Sequence, residues 1–138
     1  MPGKFYHQYE LMFKKANADL KLSIHALALE DNEIDMEIIF FHLQQAAEKY
    51  IKSLLSFNGV HYEKIHDIKR LLGVCQENSI TVPEYAEQFV ELNPYAVEGR
   101  YAVIADEMAD ADVFVELLTK FKLFIADAVG IPAQLADV

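Results

Sequence analysis

Between residues 36 and 57 apolar side chains recur in steps of three and four: Met36, Ile39, Leu43, Ala46, Tyr50, Leu54 and Phe57. On a helix turning about 100° per residue these fall on one face. Phe40, Ala47, Ile51 and Leu55 cover a second flank, so the apolar surface is wider than a single stripe. A helix this apolar belongs near the middle of a bundle. Down a sector roughly 100° wide run His42, Gln45, Lys49, Lys52, Ser53 and Ser56. Polar atoms packed into a bundle must be hydrogen-bonded or hydrated. The stripe is therefore expected to be a solvated seam or the wall of a pocket.

The same spacing predicts a long first helix over residues 4–29, with Tyr6, Tyr9, Phe13, Ala16, Leu20, Ile24 and Leu27 inward. Glu30-Asp31-Asn32-Glu33 breaks it and sets acidic groups ahead of the second helix, residues 35–57, where the helix dipole favours them. Asn58-Gly59 ends that helix, the glycine suiting a left-handed terminal residue. Residues 61–65 read as a loop. A short third helix starts near His66-Asp67, turns Ile68, Leu71, Leu72 and Cys75 inward, and stops at Asn78-Ser79. Thr81-Val82-Pro83-Glu84 has the form of a capping box with proline in the first turn, which predicts a fourth helix over 83–92, closed by Asn93-Pro94. Residues 95–104 read as irregular. Asp106 caps a last long helix, 106–129, whose buried stripe is Ala111, Phe114, Leu118, Phe121, Ile125 and Ala128. Gly130-Ile131-Pro132 ends it, and 131–138 are expected to fray. Three long and two short helices, with no strand pattern and no repeats, predict an all-α, antiparallel up-and-down helical bundle forming one domain over 1–138.

Composition sharpens this in three respects. With 138 residues, 53% of them hydrophobic, the chain can bury a substantial core. No apolar run approaches ~18 residues, so no membrane span is expected, and the N-terminal residues lack a signal peptide's apolar core, which points to the cytoplasm. Cys75 is the sole cysteine, which leaves disulfides and cysteine metal centres aside and suggests a small core residue. A net charge of −10 repels phosphate backbones unless the few cations gather on one face. Lys4, Lys14, Lys15 and Lys21 cluster in the first helix but read as its solvated side. Nonspecific nucleic-acid binding is disfavoured, whereas a local site for one anion is compatible with the balance.

Di-iron bundles need Glu-x-x-His on two helices, and the single match here, Glu63 to His66, falls in a loop; no metal site and no cofactor are expected. There is no glycine-rich phosphate loop and no nucleophile elbow. Three groups of residues carry candidate chemistry: His42, Gln45 and Lys49 on the polar stripe; His66-Asp67 at a helix start, where free N–H groups favour an anion; and Arg100-Tyr101 in the irregular segment. Arg70, the other arginine, sits beside Lys69 and reads as solvated. The plainer reading makes His66 or Asp67 a cap, pairs Asp67 with Arg100 or Lys49, and gives His42 a carbonyl partner, because ion-pair networks imitate sites. In the functional reading, Lys49, His66, Asp67 and Arg100 converge on a locally positive pocket between the second, third and last helices.

These residues resemble the HEPN domain family, named for nucleotide-binding domains of higher eukaryotes and prokaryotes. Ala18-Asp19-Leu20 resembles its first-helix signature. Gln44-Gln45-Ala46-Ala47-Glu48-Lys49, followed by Lys52 and Leu54-Leu55, resembles its second helix. Gly59 and then His66-Asp67-Ile68, with Leu71-Leu72, resembles the next element, and Arg100-Tyr101 a late Arg-Tyr-Pro element that ends here in Ala102. The resemblance runs through most of the chain. It implies a helical bundle.

HEPN ribonucleases use an arginine followed four to six residues later by a histidine. Here His7, His25, His42, His61 and His66 all precede Arg70 and Arg100. The resemblance therefore implies the small non-catalytic branch: no catalytic residues, and a nucleotide- or substrate-binding subunit beside a separate minimal nucleotidyltransferase, in a toxin–antitoxin type pair. A homodimer is expected on separate grounds, because three long helices with apolar flanks this broad exceed what a 138-residue monomer can bury. The ligand-binding candidates are His42, Gln45, Lys49, His66, Asp67, Arg100 and Tyr101, for a nucleotide or other anion. The alternatives are a ribonuclease toxin, which the missing histidine disfavours, and a ligand-free dimerisation module, against which the polar stripe speaks mildly.

Overall fold

The computed structural model describes residues 7–29, 35–62, 64, 66–96 and 107–132, with 107–109 described by their backbone alone. The described residues hold five helices and no strand: α1 (Gln8–Ala28), α2 (Met36–Phe57), α3 (Ile68–Glu77), a 3-10 helix (Glu84–Tyr95) and α4 (Glu107–Ala128). None is long and apolar enough to cross a membrane.

α2 is the axis of the molecule, as the breadth of its apolar surface requires. Ile39, Phe40, Leu43, Ala46, Ala47, Tyr50, Ile51, Leu54 and Leu55 are all buried, because α1, α3, the 3-10 helix and α4 each pack against it. Side-chain pairing gives the directions. Asn17 meets Tyr50 and Ser23 meets Ile39, so α1 runs antiparallel to α2. Phe40 packs edge-on to Phe114, and Tyr50 to Phe121, so α4 runs parallel to α2. α3 and the 3-10 helix carry the chain back between them. Phe13, Tyr50, Phe89 and Phe121 join α1, α2, the 3-10 helix and α4 through successive ring contacts. Such pairs contribute about 0.5–1.5 kcal/mol each beyond the area they bury.

Three helix ends share one device. Gly59 after α2 and Gly130 after α4 stand at φ +70° and +75°, and Ser79 after α3 at +58°. In each case the next residue's N–H reaches back to a carbonyl of the last turn: Val60 to Leu55, Ile80 to Cys75, Ile131 to Ala126. Orphan carbonyls are thereby satisfied.

The fourth element departs from expectation. It is a 3-10 helix starting after Pro83, with no side-chain cap, and it runs through Pro94 to Tyr95 rather than closing at Asn93-Pro94. A tight helix placed by tertiary packing tolerates what local signals would forbid: Ala86, Phe89, Leu92 and Tyr95 are buried at threefold spacing, the period of a 3-10 helix. Two further apolar positions differ. Ile24 is 41% exposed and Phe57 44% exposed. In place of Ile24 the neighbouring Ser23 faces α2, its hydroxyl donating to the Asp19 carbonyl at 3.0 Å and touching the Ile39 carbonyl at 3.5 Å.

Candidate functional site

The polar stripe of α2 divides into two clusters, each organised by a carboxylate. The first is centred on Asp19 of α1. Its carboxylate accepts from Lys49 Nζ at 2.6 Å and pairs with His42 Nδ1 at 2.9 Å. His42 and Lys49 lie seven residues apart, two helical turns on one face, so one buried aspartate on the facing helix meets both. Below them Tyr50 donates to Asn17 Oδ1 at 2.5 Å. Burial, and secondarily the Asp19 charge, push the Tyr50 phenol far above its ordinary range, which keeps it a neutral donor.

The second cluster is centred on Glu48, whose side chain is 3% exposed. Gln45 donates to Gln44 at 2.7 Å, and Gln44 donates to Glu48 Oε1 at 3.0 Å. Lys52, one turn along, donates to Glu48 Oε2 at 2.9 Å, and the same oxygen meets His66 Nδ1 at 3.2 Å. A buried carboxylate unpaired would be strongly destabilising. Here a lysine, an amide and an imidazole surround it. Lys52 also lies 5.8 Å from the centre of the Tyr62 ring, whose hydroxyl accepts from Gln8 at 3.0 Å.

A third arrangement fixes the start of α3. Asp67 caps the helix, accepting from the Arg70 N–H at 3.3 Å, and the same oxygen accepts from Asn93 Nδ2 at 3.0 Å. Asn93 returns the favour through its own oxygen, which accepts from the Ile68 N–H at 3.0 Å. The 3-10 helix is thus clasped to the beginning of α3.

Several expectations are redrawn by these contacts. The stripe is neither an open seam nor a free wall: Lys52 and Ser53 are buried, Ser53 donating to the Tyr9 carbonyl at 2.7 Å. Lys49 is held by Asp19 towards α1, while His66 meets α2 at Glu48, so different carboxylates hold them. The partner of Asp67 is Asn93 rather than Lys49. Of the first-turn donors of α3 that an anion would use, the Ile68 and Arg70 N–H groups are already taken by Asn93 and Asp67. His42 has a carboxylate partner rather than a carbonyl. Arg100 and Tyr101 lie outside the described residues, as do Asp106 and the acidic run 30–33. Asn93, Glu48 and Asp19 are the organising residues that spacing alone did not single out. For Glu48 the available sequence signal is Lys52 one turn along, on a helix with two apolar flanks.

Among the described residues no group of three or more His, Cys, Asp or Glu side chains could hold a metal ion. Cys75 is buried, and burial pushes its thiol up to about 11.

Neither the curated proteins nor the solved structures contain a match to the chain. A family model, the HEPN domain, matches residues 9–128, a span from α1 to the last residue of α4. This chain belongs to the HEPN domain family.

Proposed function

We propose that the chain is a non-catalytic HEPN subunit that binds a nucleotide or nucleotide-bearing substrate and works with a separate minimal nucleotidyltransferase, in a toxin–antitoxin type pair. The observation carrying this reading is the order of its residues: every histidine precedes both arginines, so the arginine–histidine pair of HEPN ribonucleases has no counterpart. General acid/base cleavage of RNA then lacks its donor. The geometry supports it further, because Lys49 and Lys52 are engaged by Asp19 and Glu48, as expected of framework groups. A homodimer belongs to the same reading, two-fold pairs being the commonest closed assembly.

The test is co-expression with the small nucleotidyltransferase of a neighbouring gene. A stable complex on affinity capture and light scattering supports the proposal. Free subunits that never associate, or tRNA cleavage abolished by Arg100→Ala, would overturn it. Light scattering of the chain alone at micromolar concentration tests the dimer against a 15.7 kDa monomer.

A further inference from the structure

Two cations outside the buried pairs, Lys69 and Arg70, stand together on α3. On α3, Arg70, Gly73 and Glu77 follow at spacings of three and four and share one face, opposite the buried Ile68, Leu71, Leu72 and Cys75. That face forms one side of a groove of about 630 Å³, whose other side is His61 and Tyr62 from the connection after α2. Lys69 lines it beside Arg70, and both are exposed. Among the described residues neither forms an ion pair, in contrast to Lys49 and Lys52.

Gly73 supplies an independent observation. It stands in the middle of a ten-residue helix, where glycine costs about 1 kcal/mol relative to alanine. A Cβ built there would meet nothing within 4 Å, so neither packing nor backbone conformation calls for glycine. What its absent side chain does is keep the floor of the groove flat and open. Opposite, the Tyr62 ring is held by the Gln8 amide at its hydroxyl and by Lys52 at its face.

We infer that this groove binds a nucleoside phosphate, with Lys69 and Arg70 on the phosphate groups and the planar base between Tyr62 and the bare helix surface at Gly73. Arginine gives two parallel donors to phosphate oxygens, and lysine beside it adds a second charge. His61 adds a ring nitrogen on the facing wall. Asp67, which also lines the groove, has its Oδ1 engaged by Asn93 and the Arg70 N–H, which lowers its repulsion of an incoming anion. Glu77 lies about 10 Å along the helix from Arg70, at 1.5 Å per residue, where it accepts from sugar hydroxyls or an exocyclic amine rather than meeting phosphate. The groove lies within the usual range of small-ligand sites, roughly 300–1,000 Å³. The lining balances Lys69 and Arg70 against Asp67 and Glu77, so in a domain of net charge −10 this groove repels an anion less than the surface as a whole does. The inference rests on the nucleotide-binding half of the proposed function and moves that binding from Lys49 to Arg70.

Calorimetric titration of ATP, tripolyphosphate and adenosine into the full chain tests it. ATP is expected to bind the wild type more tightly than either fragment. Arg70→Ala and Lys69→Ala should each weaken ATP at least tenfold, and Gly73→Leu should abolish binding while raising thermal stability, since it fills the groove without a clash. Binding of ATP that all three variants leave unchanged overturns the groove and leaves the nucleotide reading standing. No binding of ATP by wild type at millimolar concentration overturns both, while capture of the nucleotidyltransferase remains a separate result. Tripolyphosphate binding as tightly as ATP overturns the assignment of a base to Tyr62 and Gly73.

Discussion

Replacing Lys52 by methionine isolates the buried Glu48 carboxylate while keeping the length and apolar stem of the side chain. Glu48 and Lys52 side chains are 3% and 9% exposed, their charged atoms 2.9 Å apart. Breaking a pair this deep costs about 3–5 kcal/mol, most of it from the charge left behind. Glu48 keeps the Gln44 amide at 3.0 Å and His66 at 3.2 Å, which places the loss near the lower end, about 3 kcal/mol. For a domain of this size each kcal/mol moves the melting temperature by about 3–5 °C, so Lys52→Met should melt about 10 °C below wild type. Glu48→Gln should also destabilise, by leaving the ammonium buried. The double variant Glu48→Gln/Lys52→Met removes both charges, and its melting temperature should lie closer to wild type than that of Lys52→Met. The double-mutant cycle, read by calorimetric melting with circular dichroism as a check on helicity, should therefore show a favourable coupling of about 2 kcal/mol. Additive losses, or a Lys52→Met melt within 2 °C of wild type, would refute the reasoning, since the pair would then be solvated in solution.

Three further outcomes follow from other contacts. Asn93→Ala removes both hydrogen bonds of the clasp and should cost about 1–2 kcal/mol in urea unfolding, with hydrogen exchange at the start of α3 accelerated more than that at its end. Ser79→Gly relieves a left-handed residue and should stabilise by about 0.5–1 kcal/mol, whereas Gly59→Ala introduces the same strain and should destabilise by about 1–2 kcal/mol; equal melts for the two would refute the shared-device account. Tyr50 and Cys75 both have raised folded pKa values, so the unfolded chain releases their protons first; stability is full below the thiol's ordinary 9.0 and falls as pH rises beyond it and past the phenol's 10.0. Urea melts at pH 8, 10 and 11 should show that decline, shallower in Tyr50→Phe, and the Cys75 thiol should resist a disulfide reagent at pH 8 until the chain unfolds.

The long helices were legible because burial repeats along them: Phe13, Ala16 and Leu20 on α1, and Leu118, Phe121 and Ile125 on α4, carry the apolar period and are all buried. Ile24 departs from the period because Ser23, one position earlier, is the residue of that turn that faces α2. The fourth helix is legible as a helix but not as a 3-10 helix, since Thr81 to Glu84 spells an α-helical start and tertiary packing selects the tighter winding. The polar residues of α2 were visible as a stripe, but their partners were not. Asp19 lies 23 residues from His42 and 30 from Lys49, and no periodicity within one helix points to a carboxylate on another. Glu48 and Lys52 show the same limit, since a charge reads as solvated unless the counter-charge one turn away is buried with it. Arg70 is exposed, as its place beside Lys69 suggests, but no helix period reveals the groove it lines.

The encirclement of α2 has a consequence for how the sequence can change. The Asp19 cluster, the Glu48 cluster and the apolar flanks are all read from one helix, so they share a single angular frame. Inserting or deleting one residue between Leu43 and Glu48 would turn everything after it by about 100°. Lys49 would swing away from Asp19, Lys52 and Glu48 would face apolar neighbours, and Tyr50 would leave its pocket, all in the same step. Substitutions can be compensated one pair at a time, as the double variant above illustrates. A change of length within α2 cannot, because no single second change restores three faces together. Among chains that keep this arrangement, the length of α2 should be more constant than its composition, and insertions should collect in connections such as residues 58–67.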